Sequence, residues 1–412
     1  MSKKENILDT DKRKRPVKQN SNKRSPKAKS SRKSNKFLSI LKVIAIVVSL
    51  VLAVVYLLSA FAGYVNPLED TRWAYIGMTY PILFILMIVG LVLWAIARKW
   101  VMTAIMFLAL IATYNEIMTF SPINWPWASA DDGEKEFSVL TYNVMDFSDF
   151  DENAQAKQNR TIDFILNKDA DIVCLQEVRP GGAFELGKNG ITKEQINSIN
   201  HKYPHQWTGH RDLCVMSKFP ITHVRTISTV KSYGCDLYEI NIEGKTLTLV
   251  NVHLQSIGLS MTDKELYYNI TSIDRTQENI DSMKANIKSV RLKLLSKLGD
   301  AFRERARQAK RIRDILSNID GDIILCGDFN DTPGSYAYRQ VASQLHDAYR
   351  DCAFGPTITY HDNRFYFRID HVFYRGDDLK VLEIERCKNN SSDHSAIFTT
   401  FAINIHPNNN HL

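Results

Sequence analysis

The chain has 412 residues, 44% of them apolar and 24% charged, with 12 Pro and 18 Gly. That length suggests two or three structural units, and the composition excludes wholesale disorder and collagen-like repeats. The net charge of +7 is unevenly placed: residues 1–36 carry 14 Lys/Arg against 3 Asp/Glu, residues 37–130 carry 4 against 3, and residues 131–412 are left with 34 against 39. The part large enough to be an enzyme is mildly acidic, so global charge lends nothing to a DNA-binding reading.

Residues 1–36 are Lys, Arg, Ser and Asn with almost nothing to bury, and are expected to form a disordered basic tail. Three apolar stretches follow within 37–120, at about 43–65, 73–97 and 100–120; the first two are free of charge and the third carries Glu116 near its end. About 20 residues cross a hydrocarbon core, and soluble helices rarely run so long without a polar face, so the expectation is three transmembrane helices. A cleaved signal peptide fits poorly, because the basic region and the apolar run are both too long. The placement of Lys and Arg orients them: the tail stays cytoplasmic, the short acidic loop around Glu69 and Asp70 faces out, and Arg98-Lys99 faces in. Everything after about residue 121 is then extracytoplasmic, on an inner, multi-pass membrane protein of bacterial character. Trp125 and Trp127 beside Pro122 and Pro126 read as an interfacial anchor entering a linker over 121–136. Glu116 is expected near the outer interface, where a carboxylate is tolerated.

The soluble domain is placed at 137–404, with a short tail over 405–412. Runs rich in Val, Ile, Leu and Tyr at 137–144, 171–176, 212–217, 237–242, 247–254, 322–326, 369–374 and 395–403 predict strands, and 161–166 and 336–345 predict helices. Ile280, Met283, Ile287, Val290, Leu294 and Leu298 recur every three or four residues, predicting a long helix. The alternation of the two element types implies a mixed α/β sandwich. All six cysteines lie in this domain without a CxxC pair, which argues against a zinc knuckle or redox motif. Cys174 and Cys326 fall in buried strands, and the other four leave room for one disulfide.

The polar groups fall at the ends of apolar strands, where a rigid sheet would hold them in one cleft. Asn143 ends Leu-Thr-Tyr-Asn, Glu177 ends Asp-Ile-Val-Cys-Leu-Gln-Glu, and His253 lies in Leu-Val-Asn-Val-His-Leu. Asp328 and Asn330 belong to Gly-Asp-Phe-Asn-Asp-Thr-Pro, Asp370 to Arg-Ile-Asp-His, and Asp393-His394 to Ser-Ser-Asp-His-Ser. Singly, each is an ordinary turn residue or a structural histidine. Seven such positions in this order, each after an apolar strand, are not.

These residues resemble the endonuclease/exonuclease/phosphatase superfamily, which includes deoxyribonuclease-I-like nucleases, apurinic endonucleases, neutral sphingomyelinases and inositol-polyphosphate 5-phosphatases. The resemblance covers about 137–403. It implies a four-layer α/β/β/α sandwich with the site at one edge of the paired sheets, and a divalent-metal-dependent phosphoesterase. By that resemblance Glu177 is the main metal ligand, helped by Asn143 and Asp393, with Mg²⁺ the expected ion and Mn²⁺ a substitute. Asp328 orients and deprotonates the attacking water, Asn330 fixes water and phosphate, and His394, held by Asp370, hydrogen-bonds the phosphate oxygen. His253 matches the position that contacts the scissile phosphate from the other side.

The sequence around Arg368-Ile369-Asp370-His371 departs from the 5-phosphatases and weakens that substrate reading; His371 is read as structural. His210, Arg211 and Arg305 are substrate-binding candidates, with Arg305 and Gln308 also recurring in relatives on the helix before Gly-Asp. A helical insertion spans about 257–305, and residues 284–313 carry 11 basic side chains against 2 acidic. Three readings stay open for it: a solvated face, an electrostatic guide for phosphate, or a contact with anionic headgroups. The expected partners are the membrane and a phosphate-ester substrate, either nucleic acid or a phospholipid or sphingolipid headgroup, with no obligate protein partner. The alternative is a catalytically silent membrane scaffold that keeps the fold.

Overall fold

A computed structural model describes residues 26–125, 128–149, 158–179, 184–209, 212–230, 233–258, 280–362 and 366–405. The chain divides into two compact units, Met1–Val51 and Leu52–Leu412. The described part of the first is the start of a helix, Pro26–Phe61. The functional geometry lies wholly in the second.

Of the three expected spans, one is met by a single helix: Phe37–Tyr64 is long and apolar enough to cross a membrane. The second stretch is broken after Gly77 into Arg72–Gly77 and Tyr80–Ile96, and the latter has 17 residues. The third is two helices, Trp100–Ala112 and Tyr114–Phe120, bent by 67°. The bend falls at Thr113, a β-branched residue whose hydroxyl bonds back to Ala109 O at 3.1 Å and meets Tyr56 Oη at 2.5 Å. A shared apolar cluster of Tyr56, Tyr80, Met87, Met106 and Ala109 joins these helices. The outer face of Tyr80–Ile96 remains apolar, with Ile82, Ile85, Leu93 and Ile96 exposed.

Two six-stranded sheets form the rest. The first runs in the order β11 (Leu379–Cys387), β12 (Ala396–Asn404), β1 (Glu134–Asn143), β2 (Ile172–Gln176), β4 (Leu213–Ser217), β3 (His205–Thr208). The second runs β5 (Ile221–Val230), β6 (Tyr233–Ile242), β7 (Lys245–His253), β8 (Ile323–Asp328), β10 (Asp370–Arg375), β9 (His346–Asp347). Alternate residues of β1 face opposite ways: Phe137 and Val139 join Tyr238, Leu249 and Ile324 of the other sheet, while Leu140 and Tyr142 pack under helices Arg160–Lys168 and Lys193–Lys202. On the far side, Ala309, Ile312 and Leu316 of helix Ile280–Leu316 cover Val250, Ile323 and Leu325. Strands covered on both faces read as near-continuous apolar runs, which is why they are recognisable in the sequence.

Strands β3, β5, β9 and β11 and helices Lys193–Lys202 and Ala348–Cys352 were not expected from the sequence. The first of these strands is an edge with only partly buried or exposed residues, and β9 has two residues. Register shifts at His223/Arg225 and Val381/Glu383 break the alternation of β5 and β11. All six cysteines are free thiols, so the disulfide allowed above does not form here. Residues 126–127, which include Trp127, lie outside the described part, as do 259–279 of the insertion.

Candidate active site

Register brings the polar strand ends together. In the second sheet His253 pairs with Asp328 across the parallel strands β7 and β8, and Asp370 pairs with Asp328 across the antiparallel pair β8 and β10. In the first, Asn143 is level with Gln176, so Glu177 follows at the same edge. Gly327, just before Asp328, has φ +139, and a Cβ there would fall 1.9 Å from Val252 O. Only glycine lets β8 approach β7 so closely, which gives the Gly of Gly-Asp-Phe-Asn its reason.

Asp328 is the hub. Its Oδ1 accepts from Asn330 N at 2.7 Å, and Oδ2 accepts from Asn143 Nδ2 at 3.0 Å and Asn330 Nδ2 at 3.2 Å. The same Oδ2 lies 3.6 Å from His253 Nε2 and 3.7 Å from His394 Nε2. Asn143 Nδ2 also donates to Glu177 Oε1 at 3.0 Å. Glu177 is the more open member, its side chain 41% exposed, while Asp328 is buried.

Each histidine is held from behind by a carboxylate. His394 Nδ1 is 2.9 Å from Asp370 Oδ2, and His253 Nδ1 is 2.6 Å from Asp212 Oδ2. Burial opposes charge on His394, but Asp370 and Asp328 outweigh it and hold its pKa up at about 10. Burial likewise opposes charge on His253, and Asp212, Asp328 and Glu177 raise it to about 9. Burial pushes Asp328 itself up, to about 6; His394 and His253 pull against that rise and Asp370 adds to it. The result is a carboxylate poised near neutrality between two imidazolium groups. The Nε2 atom of His253 is buried without a hydrogen-bond partner, a donor facing the gap beside Glu177 and Asp328.

Asp393 is half-buried beside these groups, its carboxylate 3.4 Å from Ser392 Oγ; that hydroxyl donates to Asn143 O at 2.7 Å, tying the Ser-Ser-Asp-His loop to the first sheet. Arg305 is fully buried rather than open to the cleft: Nε donates to Asp331 Oδ2 at 3.1 Å and Nη1 to Gln255 O at 2.9 Å. Gln308 accepts from Gln255 N at 2.9 Å. His371 is buried and bonds Asp331 O through Nε2 at 3.0 Å, while burial depresses its pKa to about 4. His210 and Arg211 lie outside the described residues. Asp212 is the participant the sequence reading passed over; it was counted only as the first residue of a strand.

Among the described residues, two groups have the donor atoms and spacing to hold a metal ion: Glu177, His253 and Asp328, and Asp328, Asp370 and His394, with ligand atoms within 4.8 Å of one another in each. Both groups share Asp328, and of their carboxylates Glu177 is the solvent-open one, where a hydrated cation can enter. The donor set around it is dominated by oxygen, which suits a hard divalent cation.

The family comparison matches residues 140–394 to the Endonuclease/Exonuclease/phosphatase family and residues 40–120 to a domain of unknown function, DUF8431. No curated protein matches the chain. Among solved structures, an endonuclease/exonuclease/phosphatase from Beutenbergia cavernae is 16% identical over 65% of this chain and 72% of its own, with a TM-score of 0.41. The human Nocturnin catalytic domain is 15% identical over 68% of this chain and 96% of its own, with a TM-score of 0.41. TDP2 of D. rerio, complexed with single strand DNA product, is 16% identical over 65% and 99%, with a TM-score of 0.39. The family match spans more than half of the sequence and contains every strand-end residue of the cleft: the chain belongs to the Endonuclease/Exonuclease/phosphatase family.

Proposed function

We propose that the protein is a membrane-anchored, divalent-metal-dependent phosphoesterase that hydrolyses a phosphodiester or phosphomonoester by activated water. The observation that carries this is the pair of carboxylate-held histidines whose Nε2 atoms converge on one oxygen of Asp328, 3.6 and 3.7 Å away. A phosphodiester is anionic and slow to hydrolyse, so its cleavage needs positive donors around the phosphate and a base for water. Both are supplied by this chain's own residues.

Asp328, with its pKa raised by burial to about 6, is ionised at neutral pH yet basic enough to take a proton from water. Asn330 and Asn143 donate to its oxygens and fix the carboxylate plane, which sets where that water stands. His394 donates from Nε2 to a phosphate oxygen, its charge sustained by Asp370. His253 donates from the other side, oriented by Asp212. Both imidazoles stay protonated at neutral pH, so they meet an anion as charged donors. Glu177, with Asn143 and Asp393, would hold the metal, and Asn143 Nδ2, which donates to Glu177 Oε1 at 3.0 Å, orients that carboxylate. A bound Mg²⁺ or Mn²⁺ would offset charge on the phosphate oxygens and favour departure of the alkoxide.

We also read residues 37–120 as a multi-pass anchor with a cytoplasmic N-terminus and an extracytoplasmic catalytic domain. The exposed apolar side chains of Tyr80–Ile96 support this beyond the Phe37–Tyr64 helix, since a free surface of that kind is unfavourable in water. The substrate is a nucleic acid or a phospholipid or sphingolipid headgroup. Full-length protein in detergent, beside Asp328→Asn, tests this against plasmid DNA, a phosphomonoester, and phospholipid or sphingolipid vesicles, each with Mg²⁺, Mn²⁺ or EDTA. Metal-dependent turnover of one class, lost in the variant, is expected; turnover insensitive to both EDTA and Asp328→Asn would refute the reading.

A further inference from the structure

Glu116 is a buried carboxylate on helix Tyr114–Phe120 that the chemistry above leaves unused. Facing it is Arg339, on helix Tyr336–Ala342, which begins just after the loop that carries Asp328 and Asn330. Arg339 Nη2 lies 3.3 Å from Glu116 Oε1 and 3.4 Å from Ala60 O. Its guanidinium also lies over the Tyr64 ring at 3.8 Å, and Tyr64 Oη donates to the same Glu116 oxygen at 3.4 Å. On its other side Nε donates to Gly334 O at 3.0 Å. One guanidinium thus joins three points of the apolar N-terminal segment to a carbonyl of the active-site loop.

The fit is tight where the two chains of contact meet. Gly334 has φ +79, and a Cβ placed on Gly63 would fall 1.8 Å from Gly334 O and 2.9 Å from Arg339 Nε. The loop between Asp328 and Gly334 is held stiffly along its length. Asp331 is tied by Arg305 and by His371, Thr332 N donates to Asp331 Oδ1 at 3.0 Å, and Ser335 N donates to Thr332 O at 3.1 Å. A displacement imposed at Gly334 has little slack to absorb it before it reaches Asn330 and Asp328. Catalytic groups tolerate errors of only about 0.5 Å, and about 1 Å can cost on the order of a hundredfold.

We propose that Arg339, gripped by Glu116, Tyr64 and Ala60, is a positioning residue through which the apolar N-terminal segment sets the Asp328–Ser335 loop and thereby the turnover of the phosphoester site. This rests on the reading that Asp328 and Asn330 are catalytic. The consequence is that the segment acts as a working part of the enzyme in addition to any role as an anchor.

Full-length protein in detergent tests it with three variants: Gly63→Val, which wedges the contact open, Glu116→Ala, which releases the guanidinium, and Glu116→Gln, which keeps an acceptor oxygen. Two quantities are read: hydrogen exchange of the amides of residues 329–335, and kcat against KM on whichever ester the wild type cleaves. The expectation is at least about tenfold faster exchange confined to that loop in Gly63→Val and Glu116→Ala. With it should come a kcat lower by about tenfold or more at nearly unchanged KM, and substantial recovery in Glu116→Gln. Unchanged loop exchange would overturn the proposal, and so would a uniform rise that includes β1 and β2, because the contact would then be merely structural. If the wild type cleaves none of the esters, the catalytic reading fails, and the exchange data still decide whether the segment holds the loop.

Discussion

Asp212 grips His253 from the side away from Asp328, with Oδ2 2.6 Å from Nδ1. The carboxylate accepts the Nδ1 proton and raises the imidazole to about 9 against the opposing effect of burial, so the ring is an imidazolium whose second proton, on Nε2, faces the cleft. Replacing Asp212 with Asn keeps the shape and removes the charge. The expected outcome is a loss of at least about tenfold in kcat/KM, with the alkaline limb of the pH profile moving down by a unit or more toward the ordinary histidine range. The sign follows from the role: a donor must be protonated, and the variant loses its proton at a lower pH. An alkaline limb that stays in place would remove His253 from the mechanism.

His394, in the loop before β12, and Asp370, at the start of β10, form the corresponding pair. His394→Ala deletes a charged donor to the phosphate and is expected to cost at least about a hundredfold in turnover. Asp370→Asn leaves the imidazole in place with a weaker hold and should fall between that variant and the wild type. Steady-state kinetics on one substrate, with circular dichroism to establish folding, are sufficient. Near-wild-type turnover of folded His394→Ala would reject the assignment.

Most of this constellation is legible in the sequence because its members stand at the ends of strands buried on both faces (Asn143, His253 and Asp328 end theirs, Glu177 follows one and Asp370 begins one), and those strands stand out as apolar runs. Asn143, Glu177, His253, Asp328 and Asp370 were found in that way. Asp212 was not, since a carboxylate at the start of a strand looks like any turn residue until β4 and β7 are seen in opposite sheets. Strands β5 and β11 are hidden for a different reason: their bulges shift the side-chain alternation, which is the main local signal a half-buried strand offers. Glu116 read as an interfacial carboxylate, and its partner Arg339 lies 223 residues away, beyond the reach of any spacing argument. The apolar stretch 73–97 looked like one span because hydropathy registers composition and is blind to the break between Gly77 and Tyr80.

Arg305 and Asp331 are both buried, and their pairing holds the loop that follows Asn330. Burial raises the Asp331 carboxyl and Arg305 pulls it back down. Arg305→Ala would leave that carboxylate without its cationic partner, and breaking a buried pair from one side costs about 3–5 kcal/mol. Restoring neutrality with Asp331→Asn in the same chain should return a large part of the loss. Denaturant melts of the single and double variants check this. A double variant no more stable than Arg305→Ala would show that the arginine acts through packing alone.

His371 gives the fold a pH dependence separate from catalysis. Burial depresses its pKa to about 4, below the usual histidine value, and its Nε2 bonds Asp331 O at 3.0 Å. Above the unfolded value of about 6.5 the ring is neutral in both states and its contribution to stability is fully present. As pH falls from there toward 4, the unfolded chain takes up a proton that the folded one refuses, and stability is lost. At about 1.4 kcal/mol per unit, the window amounts to roughly 3 kcal/mol. His371→Gln keeps an amide donor for Asp331 O and cannot titrate. The wild-type protein should therefore lose stability relative to this variant between about pH 6.5 and 4, measured by denaturant unfolding in EDTA so that metal binding does not contribute. The other titrating groups are common to both proteins and cancel in the difference. A difference that stays flat across the window would mean that His371 takes up its proton equally in the folded and unfolded chains, so that burial does not depress it.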